Sequence, residues 1–418
     1  MLREQDMVKG PEGVALPSNE VVAVSPVMAR MLPPLSVEAI ADAATFAAMR
    51  AEWNALVEAS DAGVFNSWDW VYPWFRRIGA DRELRILAAL DVDGRLVGVM
   101  PLCLESRRVG GRSVRRISFL GESHVGSDYL DVVALRGQEE AIARSFATYL
   151  RDTCAGWDVI DLLDFDEQSI TVKVFSEVFG TKYQVKVTDR YLCPYEKLQA
   201  SEPFDAFLKR TARRDNFLRR KKWLEKQPGY RIEKTVVPAA LARAMTEFFR
   251  LHSARWAEDG GSQGIKGPSV EAFHRDATHL LAEQGKLRLY TMWLEGKAVA
   301  SVYGIIDRGT FSYFQSGADP ELRNKSVGLV LIGETFRDAI ESGCHTYDFL
   351  RGTETYKSDW VTLQRKTVAV RIHAAKGAGA WMSTHEEFAR KTRELAKRMM
   401  PTNLVEKVRR LRRQKAQI

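Results

Sequence analysis

The chain has 418 residues, of which 45% are hydrophobic and 28% are charged, so it holds enough apolar material for two globular cores. It has no apolar run long enough to span a membrane, and residues 1–34 lack the apolar segment of a signal peptide. The four cysteines form no CxxC pair, and the seven histidines show no HExxH spacing. These absences exclude a disulfide framework and a motif-bound zinc, and we expect a cytoplasmic protein without metal.

The formal net charge of +8 is concentrated in two segments. Residues 209–222 carry eight Lys or Arg and one Asp, and residues 386–418 carry eleven Lys or Arg and four acidic residues. The first segment is a candidate for phosphate binding, and the second for weak association with an anionic membrane or with partner proteins. A solvated helical face is the simpler interpretation of both segments.

The first domain is expected to cover residues 35–198, after a disordered leader at residues 1–34. Spacing of apolar residues predicts its helices, and short apolar or alternating runs predict its strands. The predicted helices cover residues 45–60, 68–78 and 139–154. The predicted strands cover residues 84–90, 96–104, 117–121, 129–135 and 159–165.

The second domain is expected to cover residues 199–376, followed by a basic helical tail at residues 377–418. Its predicted helices cover residues 204–226, 241–256, 273–284 and 327–341. Its predicted strands cover residues 230–237, 286–294, 298–306, 310–317, 346–350 and 366–373. Both halves thus run in the order helices, hairpin, strand, helix and buried strand, which indicates a duplicated α/β unit.

A loop between a predicted aromatic strand and an apolar helix contains Arg323, Lys325, Ser326 and Gly328. The amides of Val327, Gly328 and Leu329 begin the helix, and such amides together with the helix dipole suit a pyrophosphate. Arg323 and Lys325 add positive charge, and Ser326 can cap the helix or donate to a phosphate oxygen. A helix cap and a closely packed glycine are the simpler interpretation.

A second motif, YDFLRGTETYKSDW, follows at residues 347–360. Asp348 lies on a strand, and Arg351 lies at the carboxyl end of that strand, where open α/β sheets bind ligands. Glu354, Tyr356 and Lys357 come directly after it. The alternatives are that Asp348 pairs with Arg351 or Lys357, and that Tyr356 and Trp360 are core aromatics.

The Arg323 loop resembles the acyl-CoA pyrophosphate loop of the GNAT superfamily, whose usual form is Arg/Gln-x-x-Gly-x-Gly/Ala. Ser326 replaces its first glycine. The second motif resembles the signature of CelD/BcsL-type acetyltransferases, a GNAT subgroup linked to bacterial cellulose and exopolysaccharide production. The motif residues that match are Asp348, Phe349, Arg351, Gly352, Glu354, Tyr356, Lys357 and Trp360. Further similarity spans roughly residues 51–370, including residues 127–131, the basic helix and Arg255-Trp256.

This resemblance implies an α/β fold of two tandem GNAT-like domains, each a mostly antiparallel sheet flanked by helices, as in FemAB-type transferases. It implies transfer of an acyl group, acetyl in the simplest case, from acyl-CoA to an amine or hydroxyl, with a saccharide as acceptor. Arg323, Lys325, Ser326, Val327, Gly328 and Leu329 would bind the donor. The first domain lacks such a loop, because Glu139 and Glu140 stand where phosphate would bind, so it is expected to serve as scaffold and acceptor platform.

Chemistry of this class needs a base near the acceptor and donors for the developing oxyanion. Glu354 and Asp348 are the candidate bases, and Tyr356 is a candidate acid for the thiolate. Arg351 and Lys357 are candidates for binding a phosphate or an oxyanion. The candidate acceptor-binding residues are Asp128, Tyr129, His252, Arg255 and Trp256. Two rival functions remain: a FemAB-like transferase using aminoacyl-tRNA, and a binding module without turnover.

Overall fold

The computed structural model describes residues 35–122, 125–199, 201–257 and 265–399; the side chains of residues 256–257, 323 and 389–399 are not described. The chain from Pro34 onward forms one compact unit. The predicted leader and the end of the predicted tail lie outside the described residues. No helix in these described ranges is long and apolar enough to cross a membrane.

The structure has fifteen strands and twelve α-helices within its described part. The strands are β1 (Ser36–Ile40), β2 (Glu83–Leu84), β3 (Ile86–Leu90), β4 (Leu96–Met100), β5 (Leu102–Val109), β6 (Arg112–Phe119), β7 (Val133–Ala134), β8 (Val159–Asp166), β9 (Gln184–Lys197), β10 (Arg231–Thr235), β11 (Leu287–Leu294), β12 (Lys297–Asp307), β13 (Thr310–Ala318), β14 (Thr346–Asp348) and β15 (Leu363–His373). The helices are α1 (Ala43–Ala48), α2 (Arg50–Glu58), α3 (Trp68–Arg77), α4 (Glu139–Asp152), α5 (Ile170–Gly180), α6 (Phe204–Arg210), α7 (Arg214–Leu224), α8 (Leu241–Ala257), α9 (Pro268–Glu283), α10 (Val327–Glu341), α11 (Thr355–Ser358) and α12 (Gly377–Met399).

The strands form two sheets. The smaller has the order β1-β3-β4-β7, and the larger has eleven strands in the order β10-β11-β12-β13-β14-β9-β15-β8-β6-β5-β2. Most pairs are antiparallel, whereas β6–β8 and β13–β14 are parallel. The predicted α/β class is confirmed, with mixed sheets. The sequence did not indicate that one large sheet runs through both halves of the chain.

The two halves are related by a repeat, as the order of predicted elements indicated. The series β6-α4-β8-α5-β9 in the first half corresponds to β13-α10-β14-α11-β15 in the second. Each half ends in a long strand that pairs with the other half: β9 lies against β14, and β15 lies against β8. The halves therefore exchange their last strands and share one hydrogen-bonded sheet.

Proline explains one departure from the predicted strands. The strand predicted over residues 96–104 is divided at Pro101, which has no N–H to donate to a neighbouring strand. The chain before Pro101 joins the small sheet as β4, and the chain after it joins the large sheet as β5. The proline thus marks the point where the chain passes between the two sheets.

The strand predicted over residues 129–135 is reduced to β7 (Val133–Ala134) because a side chain takes the place of a neighbouring strand. The amide of Asn66 donates to the carbonyl of Tyr129 at 2.8 Å, and its Oδ1 accepts the N–H of Asp131 at 2.9 Å. Asn66 is fully buried, so these bonds satisfy polar groups that could not reach water.

The helix predicted over residues 204–226 is interrupted between α6 and α7. Ala212 has a φ of 55°, a left-handed conformation that ends α6. Its side chain carries no signal for such a break, since neither glycine nor proline stands there. The two short helices pack on α10, and Arg220 of α7 lies beside the beginning of that helix, where it donates to the carbonyl of Asn324.

Candidate functional site

The parallel strands β13 and β14 separate soon after they meet. Among the described residues they pair at three positions only, the last joining Ser312 to Asp348. Beyond that point β13 continues to Ala318, whereas the chain after Asp348 turns away through Leu350, whose φ is 55°. The Oδ1 atom of Asp348 accepts the N–H of Leu350 at 2.7 Å and stabilises this turn. A split therefore opens in the sheet where the second motif begins.

A cavity of about 480 Å³ fills one side of this split, and we call it the split cavity. It is lined by the end of β13, by the beginning of α10, and by Tyr356 and Trp360 beyond β14. Four of the six residues predicted to bind a donor line it, namely Ser326, Val327, Gly328 and Leu329. The loop that the sequence predicted to bind a donor therefore forms one wall of this cavity.

The beginning of α10 is open toward the split cavity. Ser326 stands at the N-cap position with a φ of 58°, and its side chain makes no capping bond to the helix. The first turn of α10 carries no acidic residue, and a Cβ added to Gly328 would meet no atom within 4 Å. Amide groups at such a helix start are favourable partners for an anion.

Helix α8 forms the opposite wall of the split cavity. It lies so close to β13 at Gly317 that a Cβ there would come 2.3 Å from the backbone nitrogen of His252. The guanidinium of Arg255 donates to the hydroxyl of Ser316 and lies 5.0 Å from the centre of the Tyr356 ring. A cation and a phenol thus stand together in the split cavity.

His252 faces β13 rather than either cavity. Its Nδ1 lies 3.0 Å from the carbonyl of Ser316, and burial lowers the pKa of the imidazole to about 4. The ring is therefore neutral near neutral pH and helps to dock α8 on the strand. The predicted role in acceptor binding has no support from this geometry.

A second cavity, of about 860 Å³, lies on the other face of the split, and we call it the interhalf cavity. The first half contributes β7 and the beginnings of α4 and α5, and the second half contributes Ser312, Asp348 and Arg365. Ser312 lines the interhalf cavity, and its neighbour Tyr313 lines the split cavity. Since successive strand residues point to opposite faces, the two cavities lie on opposite faces of β13.

Asp348 is a buried carboxyl at the last position where β13 and β14 pair. Its Oδ2 accepts the hydroxyl of Tyr129 at 3.1 Å and a guanidinium N–H of Arg365 at 2.8 Å. Burial raises the pKa of Asp348 to about 6, and the charge of Arg365 opposes this rise. Asp348 therefore combines access to a cavity with a pKa suited to accepting a proton near neutral pH.

Arg351, one of the two partners predicted for Asp348 as an alternative, forms its ion pairs with other residues. Its backbone N–H and Nε donate to the two carboxylate oxygens of Asp128, at 3.0 and 2.8 Å, and its Nη2 donates to Asp164 at 3.1 Å. Asp128 is fully buried, and burial raises its pKa against the effect of Arg351. This network joins the second motif to the first half, so Arg351 and Asp128 connect the halves.

Glu354 and Lys357 pair with one another at 3.1 Å, and the ammonium of Lys357 also donates to the carbonyl of Arg351 at 2.6 Å. Neither residue lines the split cavity or the interhalf cavity. Lys325 lies 4.9 Å from the Trp223 ring, outside the lining of both cavities. The structure does not describe the side chains of Arg323 and Trp256.

The predicted site residues therefore fall into three groups. The split cavity holds Arg255, Ser326, Val327, Gly328, Leu329 and Tyr356. The interhalf cavity holds Tyr129 and Asp348. Asp128, His252, Arg351, Glu354 and Lys357 support these cavities without lining them.

The corresponding position in the first half has the opposite charge. Helix α4 begins with Glu139 and Glu140, and the carboxylate of Glu139 accepts the N–H of Gly137 at 2.9 Å. In the first half, a carboxylate of the protein itself accepts an N–H at the beginning of α4. The first turn of α10, by contrast, has no acidic residue. This contrast agrees with the unfavourable electrostatics expected there for a phosphate.

Three site residues were not found by sequence reasoning, namely Gly317, Ser312 and Arg365, and Asp131 was noted only as part of the family similarity, without a role in the site. Gly317 and Ser312 lie on the predicted strand 310–317, and the alternation of that strand could have shown that Ser312 and Tyr313 face opposite sides. Arg365 and Asp131 are isolated charged residues whose importance depends on contacts with distant parts of the chain.

Comparison with known proteins agrees with this geometry. Residues 211–358, about a third of the chain, match the family described as acetyltransferase (GNAT) domain. This segment contains α8, β13, α10 and the second motif up to Ser358. No curated protein matches the chain significantly.

Several solved structures are similar to the chain at low identity. The chain is similar to the crystal structure of FemX, with a TM-score of 0.53 and 11% identity, over 77% of this chain and 95% of FemX. L-PGS from Bacillus licheniformis gives a TM-score of 0.47 at 12% identity, over 77% of this chain and 90% of that one. A tandem GNAT protein from the clavulanic acid biosynthesis pathway gives 0.43 at 10% identity, over 82% and 100%. Residues 211–358 thus match the acetyltransferase (GNAT) domain family, within a chain whose fold is similar to that of FemX.

Proposed function

We propose that the protein is an acyltransferase that uses an acyl-CoA donor bound in the split cavity. The observation that carries this proposal is the open beginning of α10 at one end of a cavity that reaches the split between β13 and β14. The donor diphosphate would bind the α10 amides, and the thioester would lie between the separated strands. The match of residues 211–358 to the GNAT domain supports the same assignment.

In the proposed reaction, an acceptor amine or hydroxyl attacks the thioester carbonyl from the interhalf side. Asp348 accepts the proton that the nucleophile loses, since it lines that cavity and has a pKa of about 6. The carbon–sulfur bond breaks, and the departing thiolate takes a proton from the hydroxyl of Tyr356. Arg255, beside Tyr356 in the split cavity, stabilises the negative charge that develops on oxygen and then on sulfur.

The resemblance of the second motif to CelD/BcsL-type acetyltransferases supports acetyl as the transferred group and a saccharide as the acceptor. Its residues Asp348 and Tyr356 are those assigned here to proton transfer. Two further matched residues, Arg351 and Lys357, hold the motif in place through Asp128 and Glu354.

Gly328 gives a direct test of the donor site. Because a Cβ at this position meets open space, Gly328→Ala should leave the affinity for acetyl-CoA within a few-fold of wild type. Gly328→Glu places a carboxylate where the diphosphate would bind and should weaken acetyl-CoA by about tenfold or more. Isothermal titration calorimetry measures the affinity of both variants for acetyl-CoA. Equal affinities in Gly328→Ala and Gly328→Glu would refute the donor site.

A donor attached to RNA is the second candidate, and the exposed cations of α7 favour it. Arg219 and Lys222 are solvent-exposed on this helix, and Arg220 reaches the carbonyl of Asn324 just before α10. The phosphates of an RNA chain attached to the donor would lie near these positive charges. Saturable binding of aminoacyl-tRNA, combined with no binding of acetyl-CoA, would establish this function in place of the first.

A further inference from the structure

The interhalf cavity has a strongly acidic lining. Its described lining includes seven carboxylate residues and three arginines, an excess of four negative charges before pairing is considered. Its volume of about 860 Å³ is at the upper end of the range for small-molecule sites. A cavity of this size and charge favours a polar ligand larger than a single small amine or alcohol.

The arginines of this cavity are already engaged by the protein. Arg308 donates to the carbonyl of Ser60 at 2.6 Å, and Arg136 donates to Asp61 at 2.8 Å and to the same carbonyl. Arg365 pairs with Asp348 at 2.8 Å and lies 3.6 Å from Asp166. The bonds of Arg308 fasten the loop after α2 to the turn between β12 and β13. Two other lining carboxylates pair with cations outside the lining, since Lys286 lies 2.9 Å from Asp307 and Arg144 lies 2.8 Å from Glu140. Asp131 and Glu139 are thus the lining carboxylates for which the described residues show no ion pair.

Asp131 differs from the other carboxylates because its hydrogen-bond partners are neutral. It accepts the N–H of Val132 at 2.7 Å, and the hydroxyls of Ser169 and Thr171 bond to it as well. The side chain lines the cavity and is partly exposed to it. These neutral donors leave the negative charge of the Asp131 carboxylate without a counter-charge, and a positively charged group of a ligand would supply one.

The acidic residues form a row along the cavity wall. Asp166 is close enough to Asp131 to raise its pKa, and Arg365 bridges Asp166 to Asp348. Asp348 lies at the split, and Asp166 and Arg365 link it to Asp131. A ligand could therefore be held at one end while its reacting group lies at the other.

We propose that the interhalf cavity binds the acceptor, and that this acceptor carries a protonated amine that pairs with Asp131 while a second amine or hydroxyl reaches Asp348. This inference rests on the proposed acyl transfer for the role of the bound molecule. The site itself is defined by the cavity and its charges, so binding can be measured without any acyl donor.

The test uses two disaccharides of similar size and shape, the β-1,4-linked dimer of glucosamine and cellobiose. Spermidine serves as a cationic probe that is not a sugar. Calorimetry with the full chain near neutral pH should show binding of the glucosamine dimer and of spermidine, and much weaker binding of cellobiose. Asp131→Asn should weaken both cationic probes by about tenfold or more.

Asp93→Asn is the matched control, since Asp93 is an exposed carboxylate in the turn between β3 and β4, outside the cavity. It should bind all probes like wild type. If Asp131→Asn fails to fold, as judged by circular dichroism, Glu139→Gln removes another charge from the same lining and should weaken the cationic probes by a few-fold.

Three outcomes would overturn the inference: equal binding of cellobiose and the glucosamine dimer, no binding of either cationic probe, or unchanged affinity in the cavity variants. A separate titration with acetyl-CoA reports on the proposed function. Binding of acetyl-CoA but of none of the cationic probes would support the proposed function and refute this inference. Binding of the cationic probes but not of acetyl-CoA would support the site in the interhalf cavity and refute the proposed donor site.

Discussion

At the scale of single residues, the function of Asp348 depends on the groups that surround it. Burial raises its pKa to about 6, while the hydroxyl of Tyr129 and the charge of Arg365 both favour the ionised form. The carboxyl is thus ionised near neutral pH yet basic enough to accept a proton. The same motif residue on an exposed loop would keep a pKa near 3.8 and would be a weaker base.

The pH dependence of turnover should report this environment. Asp348 accepts a proton only when ionised, so kcat/KM should fall as the pH drops below about 6. Asp348→Asn should lower kcat by about 10²–10⁴-fold. Tyr129→Phe removes a bond that favours the ionised form, which should move the acidic limb of the pH profile to higher pH. Steady-state assays of free thiol release across pH measure both effects.

Acetyl-CoA affinity is the control for both variants, because Asp348 and Tyr129 line the other face of the split. It should stay within a few-fold of wild type. An unchanged pH profile in Tyr129→Phe would show that its bond to Asp348 has no influence on the base, and full activity in Asp348→Asn would exclude Asp348 from proton transfer.

At the scale of elements, much of the second half was predictable because its periodic patterns are strong. Helix α10, the strands β11 to β13 and the second motif were predicted within a few residues. The break at Ala212 was not predictable, since alanine favours helix continuation and the left-handed turn is set by packing of α6 and α7 on α10. The reduced β7 strand was not predictable either, because its substitute partner, Asn66, lies more than sixty residues away in the sequence.

The contact between α8 and β13 gives a prediction at this scale. In Gly317→Ala, the new Cβ would meet the backbone of His252, so α8 must move away from the strand and carry Arg255 with it. We expect a loss of stability of about 1–3 kcal/mol and weaker binding of acetyl-CoA. Chemical denaturation and calorimetry measure the two effects.

Gly180→Ala is the matched control for this substitution. Gly180 is the exposed last residue of α5, and a Cβ there meets no atom within 4 Å. Its stability and affinity should equal those of wild type. If Gly317→Ala also behaves like wild type, then close docking of α8 is not needed to form the split cavity.

At the scale of the whole molecule, the two halves are joined by polar contacts as well as by the shared sheet. Arg351 of the second motif binds Asp128 and Asp164 of the first half, and its guanidinium lies 4.6 Å from the Tyr191 ring. The motif itself was recognised from sequence, but this role was not. Its partners are isolated aspartates that only the folded chain brings together.

Removing the arginine should leave a buried carboxylate without its cation. We expect Arg351→Met to lower the free energy of unfolding by about 3 kcal/mol, since Asp128 is fully buried. The double variant Arg351→Met with Asp128→Asn should recover part of this loss. Urea denaturation followed by tryptophan fluorescence measures both, and an additive loss in the double variant would show that the pair does not hold the halves together.

The exchange of last strands has a consequence for synthesis on the ribosome. Strand β9 is made early, but the strands on either side of it, β14 and β15, emerge about 150 residues or more later. Until then one edge of β8 and both edges of β9 have no partner strand, and such edges are templates for aggregation. Completion of this sheet must therefore wait until β14 and β15 have been made, so the first half cannot finish folding before the second half is synthesised.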